Sequence, residues 1–172
     1  MLNPLIRLID TASELAAKLS AWIFFVIGFA ITYEVIVRND LVREWFGTSP
    51  TLWVDETAAV LQVWAAYLTA AYSLKNHQMI RIEILFRKPD TLGRKLSDSL
   101  SIILILLFAG VAAWFGVQLW LNETLAGHTT DSYLGLPKWF TEAAVWLSFS
   151  LLALQAVAEL IKLWSPEQVT KG

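Results

Sequence analysis

The 172-residue sequence contains no cysteine, few charged side chains and only two histidines. The absence of cysteine excludes disulfides, thiolate metal sites, iron–sulfur ligation and thiol nucleophiles. Charged residues make up 16% of the chain and hydrophobic residues 56%, so there is too little polar surface to cover a water-soluble globule. The nine tryptophans favour a membrane protein, because indole rings concentrate at the two membrane–water interfaces. The net charge of -2 gives no large basic surface, and we expect no nucleic-acid partner.

Four apolar segments predict an all-α integral membrane protein with four transmembrane helices. They lie at about residues 19–37, 57–74, 99–121 and 139–163, and each can cross roughly 30 Å of hydrocarbon as a helix. The first includes Glu34, and the fourth includes Glu142 and Glu159. Arg38 follows Glu34 by four residues and Lys162 follows Glu159 by three. Glu34 and Glu159 are therefore expected to pair with these basic residues within their own helices.

Two further segments have features of amphipathic helices at the membrane surface. Residues 1–18 alternate apolar and charged side chains, and the apolar stretch that follows is too long for a signal peptide, so we expect the segment to be retained. Ser49 and Pro50 have the form of a helix N-cap and first helical position. They predict an interfacial helix that leads through Trp53 into the second span.

Basic residues predict the orientation of the chain. With the N-terminus inside, ten of the 13 basic residues fall in the cytoplasm, and three fall outside: Arg38, Arg43 and Lys138. The positive-inside rule therefore predicts that both termini are cytoplasmic. We interpret residues 1–172 as one membrane domain.

The spans contain little that suggests catalysis or substrate movement. His77 and His128 are predicted on opposite sides of the membrane, which argues against a bis-histidine haem or a shared metal site. No nucleophile and base form an evident pair, so we expect no enzyme activity. All five prolines lie outside the central spans, unlike the broken helices of many transporters. Gln62, midway through the second span, is expected to form an interhelical hydrogen bond.

Small residues predict a close helix crossing in the third span. Ala109, Ala112, Ala113 and Gly116 recur at spacings of three and four, and Ala66 with Ala70 repeat the pattern in the second span. Their spacing fits packing within this chain or against another chain, and the first interpretation is favoured.

Asp55 and Glu56 are adjacent acids at the start of the second span. Two interpretations remain open. In the first, the carboxylates complement the positive end of the helix dipole. Alternatively, they bind a cation supplied by Arg38 or by a basic residue of another chain.

The order of residues around the second span resembles the small membrane subunit of tripartite ATP-independent periplasmic (TRAP) transporters. That family shows an Arg, then Trp-x-Glu-Glu, then a Trp within the second span, and the corresponding residues here are Arg38, Trp53, Asp55, Glu56 and Trp64. Asp55 replaces the first Glu of that pattern. A later His-Ile-x-Val-Asp motif is matched in part: Met79 occupies the histidine slot, Ile80 is in place, Glu83 replaces the Asp, and His77 lies two residues early. The resemblance covers roughly residues 15–165.

The resemblance implies a non-catalytic subunit of a sodium-coupled importer of organic acids in the bacterial inner membrane. Such a subunit scaffolds a large elevator-type membrane subunit and helps to dock a periplasmic substrate-binding protein. The implied partner-binding residues are Arg38, Trp53, Asp55, Glu56 and Trp64. Membrane lipid is a further expected partner, and no cofactor is expected because sodium belongs to the large subunit. A four-helix anchor of a redox enzyme, or a small pore, remains an alternative.

Overall fold

The computed structural model describes residues 2–47, 51–76 and 92–165. Five helices occupy most of these residues: α1 Leu2–Arg38, α2 Asp40–Phe46, α3 Trp53–Lys75, α4 Leu92–Leu125 and α5 Lys138–Trp164. An isolated antiparallel bridge joins Thr129 and Pro137 in the α4–α5 loop. The prediction of an all-α protein is confirmed. The predictions on Ser49, Pro50, His77 and the motif around Ile80 fall outside the described residues.

Helix α1 is continuous for 37 residues, so no break separates the predicted interfacial segment from the predicted first span. Neither glycine nor proline occurs near this position to end the helix. The hydroxyl of Ser20 donates to the carbonyl oxygen of Ala65 at 2.6 Å, so this part of α1 packs against α3. The first half of α1 therefore belongs to the helical bundle.

The predicted start of the interfacial helix lies outside the described residues, and the first two residues described after it, Thr51 and Leu52, are not helical. Helix α3 begins at Trp53, three residues after the expected first helical position. The short helix between the spans is instead α2, where the side chain of Asn39 accepts the N–H of Leu41 at 3.0 Å and Gly47 adopts φ 60° at the C-cap. These are standard capping residues that the sequence displays. Leu41 and Trp45 are exposed one turn apart, which is typical of a helix lying at a membrane surface.

Helix α5 lies at the centre of the packing and contacts α1, α3 and α4, while α1 also packs along α3. Helix α1 buries residues at spacings of three, four and seven, the repeat of coiled-coil packing: Ser13, Ala16, Ser20, Ile27, Glu34 and Val37. Helix α4 contacts α5 through small residues, since Ala109 is fully buried and Gly116 lies against Trp146. The predicted close crossing is thus confirmed as a contact within this chain.

By length and composition, three helices of the described residues can cross a membrane: Pro4–Arg38, Lys95–Leu125 and Lys138–Trp164. Helix α3 is 23 residues long but less apolar, since it contains Gln62 and several hydroxyl groups. The outward faces of α1 and α4 expose large apolar side chains, for example Phe29 and Phe108. These faces suit a lipid environment rather than water.

Candidate functional site

The end of α1 and the start of α3 are joined by charged side chains, which we call the Arg38 cluster: Glu34, Arg38, Thr51 and Asp55. The Nε of Arg38 donates to Glu34 at 2.8 Å, and its Nη2 donates to Asp55 at 2.5 Å. The predicted Glu34–Arg38 pair is therefore confirmed, and Arg38 is the cation that contacts Asp55. The side chains of Arg38 and Asp55 are 47% and 61% exposed, whereas that of Glu34 is 4% exposed.

Burial of Glu34 is compensated by Thr51 as well as by Arg38. The N–H of Thr51 lies 3.1 Å and 3.3 Å from the two carboxylate oxygens, and its hydroxyl also donates to Glu34. A buried carboxylate needs such partners, since an unpaired one is costly. These bonds tie Thr51, which precedes α3, to the end of α1. The sequence analysis did not identify Thr51, because nothing in its local pattern links it to Glu34.

Glu56 has a different role from its neighbour Asp55. Its carboxylate accepts the backbone N–H groups of Tyr133 at 2.7 Å and Leu134 at 2.9 Å, in the loop between α4 and α5. Partial desolvation acts to raise the pKa of Glu56, but the hydrogen bonds from Leu134, Ser132 and Tyr133 outweigh it, so the pKa is lowered. Glu56 thus ties α3 to this loop.

The two tryptophans of the predicted site face different surroundings. The indole Nε1 of Trp64 donates to the carbonyl oxygen of Phe140 on α5 at 3.2 Å, and the two rings pack with centroids 5.5 Å apart. Trp64 therefore contributes to the contact between α3 and α5. Trp53, at the first position of α3, is about half exposed.

Gln62 lies on an exposed face of α3 and has no hydrogen-bond partner among the described residues. The expected interhelical hydrogen bond of Gln62 is therefore not formed among the described residues. Gln155 on α5 fills that role instead. Its Oε1 accepts the hydroxyl of Ser13 on α1 at 2.7 Å, and both residues are fully buried.

At the opposite end of α1, a second polar group joins α1 to α5, and we call it the Asp10 network: Asp10, Ser13, Gln155, Glu159 and Lys162. The Nζ of Lys162 donates to both oxygens of Asp10 at 2.7 Å and 2.9 Å, and to Glu159 at 2.8 Å. The Nε2 of Gln155 donates to Asp10 and to Glu159. The predicted Glu159–Lys162 pair is confirmed, but the sequence analysis missed its connection to α1. The signal available was the polar face formed by positions 155, 159 and 162 of α5.

Helices α1 and α3 are also joined at this end. Lys75, the last residue of α3, donates to Glu14 at 2.6 Å. His128 lies in the α4–α5 loop and contacts Glu123 at 2.9 Å, and Lys138 contacts the same carboxylate. Within the described residues, no cluster of three or more metal-ligating side chains occurs. These contacts therefore join one helix to another helix or to a loop.

Comparisons with known proteins place these features in a family context. The family model for the DctQ component of tripartite ATP-independent periplasmic transporters matches residues 30–165. The chain is 25% identical over 132 residues to "Isethionate TRAP transporter permease protein DctMQ" of Oleidesulfovibrio alaskensis, over 77% of this chain and 21% of that protein. It is 28% identical over 104 residues to "C4-dicarboxylate TRAP transporter small permease protein DctQ" of Rhodobacter capsulatus, over 60% of this chain and 45% of that protein. The chain therefore spans about a fifth of the first relative and less than half of the second.

Proposed function

Since this chain belongs to the DctQ component family of tripartite ATP-independent periplasmic transporters, we propose that it scaffolds a large elevator-type membrane subunit in a sodium-coupled importer of organic acids. The family is a transporter component, not an enzyme, and this chain is a small permease subunit of the inner membrane. The single observation that carries the proposal is the family match, which includes all of α2, α3, α4 and α5. A redox-enzyme anchor is not favoured by that match.

The proposed topology has four spans and both termini in the cytoplasm, with residues 1–172 forming one membrane domain. Helix α3 supplies the second span, because 23 residues extend about 35 Å and exceed the hydrocarbon thickness. Helix α2 would lie on the periplasmic surface, with Leu41 and Trp45 toward the lipid headgroups. Reporter fusions at residue 172 test this orientation, and a periplasmic C-terminus would contradict it.

We place the partner contact at the Arg38 cluster. The guanidinium of Arg38 has five N–H donors, and the described contacts use two of them. Exposure of Arg38, Asp55 and Trp53 leaves these side chains accessible to another chain. Glu56 and Trp64 would act as positioning residues, because their described contacts lie within this chain.

The substrate is proposed to be an organic anion, since the two relatives are named for isethionate and C4-dicarboxylate transport. The polar surface formed by the Arg38 cluster and the α4–α5 loop would help to dock the substrate-binding protein. We assign no cofactor to this chain and place the sodium sites on the large subunit. Uptake of candidate organic acids should fall to background when the gene for this chain is deleted and the other components remain. Unchanged uptake would contradict the proposal.

The assembly itself is tested by tagging this chain, extracting it gently from its native membrane and identifying what remains bound through size-exclusion chromatography. A large polytopic subunit is expected by mass spectrometry. Recovery of the chain alone, or with a soluble dehydrogenase, would refute the proposed assembly, and a Soret absorbance band would point to the redox anchor.

The role of the Arg38 cluster is tested with the double variant Asp55→Ala, Glu56→Ala in the same assay. The variant removes one of the two carboxylates that hold Arg38 and also releases the α4–α5 loop from Glu56, so recovery of the large subunit should fall. Asp40→Ala is the matched control, because Asp40 is a neighbouring acid whose side chain is 99% exposed. Equal recovery from the double variant and the control would contradict the assigned contact.

A further inference from the structure

One face of α3 differs in composition from the outward faces of α1 and α4. It consists of Asp55, Ala59, Gln62, Val63 and Ala66, which recur at helical spacing and are all exposed, and we call it the Gln62 face. Trp64 points away from it, toward α5. Apart from the bond of Asp55 to Arg38, the side chains of the Gln62 face make no hydrogen bond or ion pair with the other described residues.

Gln62 lies two residues, about 3 Å along the helix, from Trp64 at the centre of the 23-residue helix α3, which we propose as the second span. A carboxamide has two N–H donors and an acceptor oxygen, and lipid tails satisfy none of them. Polar side chains at this depth normally face protein or a water-filled cavity. The described residues of this chain provide neither a partner for Gln62 nor a covering side chain.

The small size of Ala59 and Ala66 supplies a second, steric argument. About one turn on either side of Gln62, these exposed residues have small side chains, and small residues allow another membrane helix to approach closely. The exposed face of α4 instead presents large apolar side chains such as Leu104, Leu107 and Phe108. That face suits lipid, which requires no close approach and no hydrogen bond.

We infer that the Gln62 face receives a transmembrane helix of the large membrane subunit, and that Gln62 hydrogen-bonds across this contact. The face continues to Asp55, so the intramembrane contact joins the Arg38 cluster without a gap. The occupant is a protein helix with a hydrogen-bonding group near its centre, rather than lipid. This inference rests on the proposed function, because it locates the contact of that same assembly.

Photo-crosslinking in native membranes that contain the whole transporter tests the location. A benzophenone-bearing residue is introduced at Ala59 or Ala66, and the matched control is placed at Gly110 of α4, where an added side chain meets no atom within 4 Å. We expect an adduct with the large subunit from Ala59 and Ala66 but not from Gly110. An adduct at twice the 19.4 kDa mass of this chain would show that the partner at this face is a second copy of the chain, and it would overturn the inference.

A conservative variant tests the hydrogen bond. Gln62→Leu removes the amide and makes the span more apolar, so it does not impair membrane insertion. Recovery of the large subunit during detergent extraction should weaken by about threefold to tenfold, the effect of one interhelical hydrogen bond. Gly110→Leu should leave recovery unchanged.

The outcomes separate this inference from the proposed function. Suppose that the large subunit co-purifies with the wild-type protein. Crosslinks from Gly110 alone, or unchanged recovery with Gln62→Leu, would then overturn the assignment of the Gln62 face but leave the proposed function standing. Absence of the large subunit from the wild-type preparation would instead refute the proposed assembly.

Discussion

The contact between α4 and α5 can be tested with two glycines of the same helix. A Cβ atom built on Gly116 would lie 3.1 Å from the Cβ of Trp146, 3.2 Å from its backbone nitrogen and 3.2 Å from Cγ1 of Val145. A Cβ atom on Gly110 would meet nothing within 4 Å. The same substitution therefore adds a methyl group to a tight contact at one position and to open space at the other.

The magnitude follows from two opposing effects. Replacing glycine by alanine within a helix stabilises it by about 0.5–1 kcal/mol, and this gain applies at both positions. Forcing a methyl group into a packed contact costs about 1–3 kcal/mol. The cost applies at Gly116, because the backbone nitrogen and Cβ of Trp146 move only if α5 moves. Gly116→Ala should thus be less stable than Gly110→Ala by about 1–3 kcal/mol.

Thermal denaturation of the purified subunit in one detergent measures this difference. Gly110→Ala is expected to raise Tm slightly or leave it unchanged, and Gly116→Ala to lower it. The variants Gly116→Leu and Gly110→Leu should differ more in Tm than the two alanine variants, because a larger side chain at position 116 separates α4 from α5. Equal shifts for the two alanine variants would refute the argument that a close α4–α5 approach requires glycine at position 116.

Three further variants test the polar contacts. Lys162→Met leaves the carboxylates of Asp10 and Glu159 without their cation, and should lower the free energy of unfolding by about 2–3 kcal/mol in thermal denaturation. This loss is smaller than the roughly 3–5 kcal/mol of a fully buried pair, because Lys162 is 26% exposed. Ser13→Ala removes the hydroxyl that donates to buried Gln155 and should cost about 1–2 kcal/mol in the same assay, whereas exposed Thr11→Ala should cost less. Glu56→Ala should speed hydrogen exchange in residues 130–137. Because the pKa of Glu56 is lowered, its restraint on this loop should be complete at neutral pH and disappear as the pH falls below the ordinary value of 4.5 and through the folded-state pKa.

The sequence placed the long helices well, because hydrocarbon thickness limits where an apolar helix can begin and end. The predicted segments 57–74, 99–121 and 139–163 all lie inside α3, α4 and α5. Pairs within one helix, such as Glu34 with Arg38, were equally accessible, since helical spacing alone brings their side chains together.

Contacts between distant segments could not be derived in the same way. Asp10 and Lys162 are separated by 152 residues, and their pairing depends on α1 lying beside α5. Gln62 and Gln155 look alike as single polar residues within apolar helices, but one lies on an exposed face and the other is buried against α1. The direction that each helix faces depends on packing order, which hydropathy does not encode.

The positions of the polar contacts bear on the proposed scaffold role. Helices α1 and α3 are joined by Arg38 with Asp55 at one end and by Lys75 with Glu14 at the other, positions of α1 that lie about 36 Å apart. Between them, Ser20 bonds both α3 residues Ala65 and Thr69. Sliding α1 by one helical turn against α3 would break all three contacts together, so the pair behaves as a fixed unit. A partner helix seated on the Gln62 face of α3 would then be held against a rigid frame, which is what the proposed scaffold role requires.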